Sequence, residues 1–204
     1  MKLYYKPGAC SLASHIALNE IGATFDIESV DTKAGKTESG ADFSQINPKG
    51  YVPVLEVEGG EHLSEGAAVL QFIADKAPDS GLVPAAGTIE RTRVQSSLNY
   101  VGSELHKAFS PFFSDNPPEG AKRDEAIARL SDKFKHVEAT LSDGRPFLHG
   151  DKFTVADAYA FVVSQWALFT GIGLDSWPNV AKFVERIRER PAVVKAMTAE
   201  GLIG

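Results

Sequence analysis

Cysteine occurs once in the 204 residues, at Cys10. A single cysteine forms no internal disulfide, and it excludes a cysteine-built zinc site or a two-cysteine redox pair. Cytoplasmic residence is the natural expectation. The five histidines, at positions 15, 62, 106, 136 and 149, show no HExxH or related metal spacing, so no metal is expected. No apolar run approaches the ~20 residues of a membrane span. The opening "MKLYYKPG" lacks the apolar stretch of a signal peptide. Lys and Arg number 21 against 27 Asp and Glu, a net charge of −6, with no dense basic block. A nucleic-acid partner needs a basic footprint and is disfavoured. What remains is 43% hydrophobic and 24% charged, the composition of a soluble globular protein.

The chain has two grammars. Up to about residue 77, short apolar runs alternate with turn signals. Lys2–Lys6 reads as a strand, and Leu12–Ile21 as a buried helix ended by Gly22 in the left-handed conformation. Phe25–Val30 reads as a second strand, parallel to the first because a helix joins them. "VPVLEV" is a third strand, "GGE" a tight turn and His62-Leu63 a short return strand. Glu65–Lys76 reads as a helix with Ala67, Ala68, Leu70, Phe72 and Ile73 facing the core. The stretch "APDSGLVPAAGT" is a linker. Beyond it only helix patterns occur, over about 88–114, 120–141, 155–170, 178–189 and 191–201. The expected organisation is an α/β domain over 1–77, a linker over 78–87 and an all-α domain over 88–204. Thr154 and Asp157 form a capping box. The helix they start is apolar on nearly every side, which places it inside the second domain.

Four features carry candidate chemistry, each with a plainer alternative. Cys10 lies at a helix start, where the dipole and free N–H groups favour thiolate; the alternative is a small core filler. Ser11 follows it, a hydroxyl at the same helix start that is either a second candidate or a simple N-cap. Pro53 opens an apolar strand, where a missing N–H is tolerated only at an edge or an end of pairing. If Val52-Pro53 is cis, the Val52 backbone can turn out to pair with an extended, peptide-like ligand. Glu65-Gly66 opens a helix, either complementing the dipole or holding an amino-acid ligand by carboxylate and backbone N–H groups. Asn99, Ser103, His106 and Ser110 share one helical stripe, which is either a wet face or the wall of a cleft.

In order and spacing, "KLYYKPGACSLASHIAL", "NPKGYVPVL", "LSEGAAVLQFIAD", "LNYVGSELHKAFSP", "GDKFTVADAY" and "AEGLIG" resemble the bacterial beta-class cytosolic glutathione S-transferases over essentially the whole chain. The resemblance implies a thioredoxin-like N-terminal domain, an all-helical C-terminal domain, glutathione as co-substrate, a detoxification role and a homodimer. It implies that Cys10 faces the glutathione sulfur and that Val52, before a cis-Pro53, pairs with the cysteinyl backbone. It places Glu65 and Gly66 at the γ-glutamyl end, reached by Asn99 and Ser103 of the neighbouring subunit. His106 would sit near the thiol, with Lys107 close by. The expected catalytic set is Cys10, Ser11 and His106. Gly35 stands where the class tends to have a lysine for the glycyl carboxylate, and Lys36 or Lys33 is the expected substitute. The implied reaction is attack of glutathione thiolate on a small hydrophobic electrophile. Phe109, Phe113, Trp166 and Phe169 are pocket candidates, with core filling as the other reading. Two alternatives stand: a thiol–disulfide oxidoreductase or reductive dehalogenase working through a Cys10 mixed disulfide, and a non-catalytic glutathione-binding protein.

Overall fold

A computed structural model describes residues 1–204. Strand β1 (Lys2–Tyr5), helix α1 (Ser11–Glu20) and strand β2 (Asp26–Asp31) form a crossover unit, with β1 and β2 parallel and Lys2 opposite Asp26. Strands β4 (Val54–Glu56) and β5 (His62–Ser64) add antiparallel on the other side of β1, and a two-residue β3 (Lys36–Thr37) closes the β2 edge. The order is β3-β2-β1-β4-β5, and α2 (Gly66–Asp75) completes a thioredoxin-like layer. β3 is absent from the sequence reading, because two residues carry no period. The expected third strand starts two residues late, at Val54, because pairing begins only after Pro53, which has no N–H to give.

Period-two alternation gives the sheet two covered faces. Leu3 and Tyr5 enter the main core, while Tyr4 points the other way into a small cluster with Val30, Phe43, Val52 and Val54. On α2, Leu70 and Ile73 are buried as expected, joined by Val69 and Ala74. Ala67 and Phe72 pack only partly, and Ala68 faces solvent, since Val69 sets the stripe one residue further on.

The rest is helical: α3 (Ile89–Tyr100), α4 (His106–Phe109), α5 (Gly120–Thr140), α6 (Val155–Phe169), α7 (Pro178–Arg188) and α8 (Pro191–Ala199). The single helix expected over 88–114 is instead interrupted. A π-helical turn, Val101–Leu105, separates α3 from α4, and a 3₁₀ turn, Ser110–Phe113, containing Pro111, ends it. Helix α6 is buried from Val155 to Ala167, as its all-round apolarity predicts. Its start is fixed by the Asp157 carboxylate, which accepts the Thr154 N–H and hydroxyl at 2.8 Å and the Leu148 N–H at 2.7 Å. No helix is long and apolar enough to cross a membrane.

Contacts between the two halves hold the loop before α1. The buried Glu200 carboxylate meets His15 Nδ1 at 3.0 Å and accepts the Gly8 N–H at 2.9 Å. Trp166 of α6 donates its indole N–H to the Gly8 carbonyl at 2.8 Å. Arg190 forms a two-pronged ion pair with Glu20 at the end of α1. Arg91 of α3 grips Asp75 of α2 in the same way at 2.8 Å, and the Leu82 carbonyl of the connecting stretch accepts the Val155 N–H.

Candidate active site

Cys10 is the N-cap residue of α1, half-buried, at the end of the loop that Glu200 and Trp166 hold. Its thiol points at the Val52 carbonyl, 3.4 Å away. The downward pull expected of the helix start is present but outweighed. Burial dominates and pushes the thiol up to about 11, against smaller downward pulls from the Cys10 and Ser11 backbone N–H groups and from Lys107. Cys10 is therefore a protonated donor at neutral pH.

Ser11 does not join it. The side chain is fully buried, accepts the Lys6 N–H at 3.1 Å and returns its hydroxyl to the Lys6 carbonyl at 3.3 Å. It braces the turn and lines neither cavity described below, which corrects its place in the expected catalytic set.

The Val52-Pro53 bond is cis. The Val52 carbonyl takes the Cys10 thiol, and the Val52 N–H makes no hydrogen bond within the chain. Both residues line a cleft of about 690 Å³ that also gathers Cys10, Glu65, Gly66, Asn99, Ser103, His106 and Lys107. Asn99 and Ser103 line this cleft from the same chain. Ser110, the last member of their stripe, is exposed and lies outside it, beyond the π turn and in the 3₁₀ turn.

Glu65 adopts φ 71° and ψ 106°, a positive-φ conformation that costs a non-glycine residue about 1–3 kcal/mol. Such strain, where observed, marks candidate functional positions. Its carboxylate accepts from Lys49 Nζ at 2.6 Å and the Tyr51 hydroxyl at 2.7 Å, which hold its pKa below the usual range. Lys49 and Tyr51 escape the sequence reading. They flank the Gly50 turn, and nothing in their spacing announces a partner so far along the chain.

His106 lies on α4, half-buried, with Nδ1 2.8 Å from the Tyr159 hydroxyl and its ring edge-on to Trp166 at 4.7 Å. Burial, reinforced by neighbouring Lys107, lowers its pKa to about 4, so the ring is neutral at pH 7. Tyr159 also escapes the sequence reading, hidden in the apolar run of α6. Lys107 lines the cleft and makes no ion pair.

A second cavity, about 480 Å³, opens on the other side of the thiol. Phe113, Trp166, Phe169 and Leu202 form its apolar wall, and Cys10 and His106 line it as well as the first. Phe109 is a correction: it is fully buried behind Trp166, 5.7 Å between centroids, and supports the wall from within. Lys36 is not brought to either cavity. It sits exposed on β3, while Lys33 pairs with Asp115 at the surface. Gly35 occupies a left-handed turn position (φ 67°) whose N–H bonds the Asp31 carbonyl, a conformation lysine would strain.

The arrangement is a shared thiol–imidazole wall between a polar cleft and an aromatic one. The profile described as "Glutathione S-transferase, N-terminal domain" matches residues 1–75, and "Glutathione S-transferase, C-terminal domain" matches residues 101–191. Glutathione S-transferase GstA of Escherichia coli O157:H7 is 44% identical over 202 residues, spanning 99% of this chain and 100% of that protein. The bacterial beta-class glutathione S-transferase of Sphingomonas chungbukensis superposes with a TM-score of 0.93 at 43% identity over 100% of both chains. A sphingomonad glutathione S-transferase complexed with glutathione superposes at 0.89, again 43% identical over 100% of both. The chain belongs to the glutathione S-transferase family and, by these likenesses, to its bacterial beta class.

Proposed function

We propose that this chain binds reduced glutathione in the polar cleft and conjugates its thiolate to small hydrophobic electrophiles seated against Phe113, Trp166 and Phe169. The observation that carries the reading is that two cavities of unlike chemistry share Cys10 and His106. Nucleophile and electrophile would meet only there. Glu65 and Gly66 would hold the γ-glutamyl end, and the free Val52 N–H would take the cysteinyl carbonyl. With Lys36 outside the cleft, Lys107 is the cation left for a ligand carboxylate. Cys10, as a protonated thiol, would donate to the glutathione sulfur rather than attack it. A thiol of pKa about 11 is ionised in about one molecule in ten thousand at pH 7. That disfavours the mixed-disulfide chemistries, which need a thiolate.

The protein would act as a cytoplasmic detoxifying homodimer. Asn99 and Ser103 line the cleft and are exposed. A two-fold partner seated on that helix would bring its own copies of them to the γ-glutamyl end. The test is turnover of an activated aryl halide with glutathione by the wild type and by Cys10→Ala. Conjugation is expected in the wild type, falling about 10–100-fold in the variant with glutathione affinity retained. Glutathione binding without turnover of any electrophile would sink the enzyme reading.

A further inference from the structure

Only one ring nitrogen of His106 is engaged within the chain. Nδ1 lies 2.8 Å from the Tyr159 hydroxyl, and the two rings meet edge-on, 6.0 Å apart. Tyr159 is 6% exposed, and its hydroxyl makes no other hydrogen bond. Gly102 in the π turn faces the phenol. A Cβ there would lie in ordinary van der Waals contact with the Tyr159 hydroxyl and Cε1, at 3.6 Å.

A neutral imidazole carries one N–H, and its position decides what the ring can do. If Nδ1 held the proton, Tyr159 would have to accept it. Its own hydroxyl proton would then have no partner within the chain, a situation that largely buried groups avoid. If Tyr159 donates to Nδ1, its proton is satisfied and the imidazole proton lies on Nε2, the nitrogen with no partner in the chain. We propose that Tyr159 is a positioning residue that holds His106 as the Nε2–H tautomer. The ring is thereby a hydrogen-bond donor at the junction of the two cavities. Burial, which raises the Tyr159 pKa well above its ordinary value, keeps the phenol protonated and able to donate. For the chemistry this rests on the transferase reading: His106 would stabilise a thiolate by donation and would not act as its base. The tautomer itself is independent of that reading.

The experiment is two-bond ¹H–¹⁵N NMR of histidine-labelled unliganded protein at pH 7, with His106 assigned by the signal lost in His106→Gln. Expected is a protonated Nε2 and a bare Nδ1 in the wild type, and a mixed pattern in Tyr159→Phe. A protonated Nδ1 in the wild type overturns the proposal, as does a Tyr159→Phe spectrum with an unchanged tautomer. Kinetics supply the second arm. Tyr159→Phe should lower kcat about tenfold with little change in glutathione KM. It should have little effect in a His106→Gln background, where the amide N–H donates whatever Tyr159 does. Equal losses in both backgrounds would mark Tyr159 as merely structural. Absent turnover in the wild type would remove the transferase reading and leave the spectroscopic test standing.

Discussion

The Cys10 thiol donates to the Val52 carbonyl across 3.4 Å, joining the start of α1 to the segment that precedes β4. The contact gives the thiol proton a partner in the unliganded protein and fills half of the Val52 backbone pair. A ligand N–H can share this carbonyl through its second lone pair, or displace the thiol, which is then free to donate elsewhere. Cys10 alkylation by iodoacetamide should therefore be slow at pH 7 and rise about tenfold per pH unit to beyond pH ~9, following a thiol of pKa about 11. Mass spectrometry of timed aliquots measures it. A rate that levels off near neutrality would show a thiolate and reverse the assignment.

His106 links stability to pH. Its folded pKa, about 4, lies below the ~6.5 of an unfolded histidine. Between these values the unfolded chain binds more protons, so stability rises with pH across the window. The contribution is complete above about pH 6.5 and is lost as pH falls toward 4. Between pH 7.5 and 4.5 the wild type should lose roughly 1–3 kcal/mol more than His106→Gln in urea melts. Identical losses would mean the ring titrates normally.

Glu200→Ala should be severe for a residue so near the end of the chain. It strips the buried His15 ring and the Gly8 N–H of their shared acceptor. A cost of about 2–4 kcal/mol follows, or a Tm lower by about 5–15 °C. A Tm within about 1 °C of wild type, checked by calorimetry, would show that the pair contributes nothing.

Phe113→Ala should separate the two substrates. Phe113 is 53% exposed at the mouth of the aromatic cavity, edge-on to Trp166 at 5.2 Å, and does not line the polar cleft. The KM for an aryl electrophile should rise about three- to tenfold, with glutathione KM unchanged. A shift in the glutathione constant instead would misplace the electrophile. Phe109→Ala, by contrast, removes a fully buried ring and should cost about 3–5 kcal/mol of stability.

Local pattern reaches as far as β1, α1 and α6, because each carries its own period, cap or breaker. It stops where packing over long separations decides. Phe109 and Phe113 belong to one apolar stretch, and only the π turn and Pro111 send one into the core and the other to the cavity. The Cys10 helix start is legible, while the burial that outweighs it is not. Glu65 is legible as a helix start, but not its positive-φ backbone or its hold on Lys49 and Tyr51. The convergence of positions 10, 52, 65 and 106 came from the family resemblance. Residue periodicity alone offers no way to bring them together.

The tie between Glu200 and the Gly8 loop sets an order of assembly. During synthesis the first strands and α1 emerge long before residue 200, and N-terminal units fold first. Until α8 and Glu200 arrive, His15 and the Gly8 N–H lack their acceptor, and the loop carrying the thiol is not yet fixed. The loop that carries the thiol thus becomes a finished site only when a segment 192 residues further along has folded back onto it. A chain cut short by its last few residues would keep the residues that line the polar cleft and lose the clamp that aims its thiol.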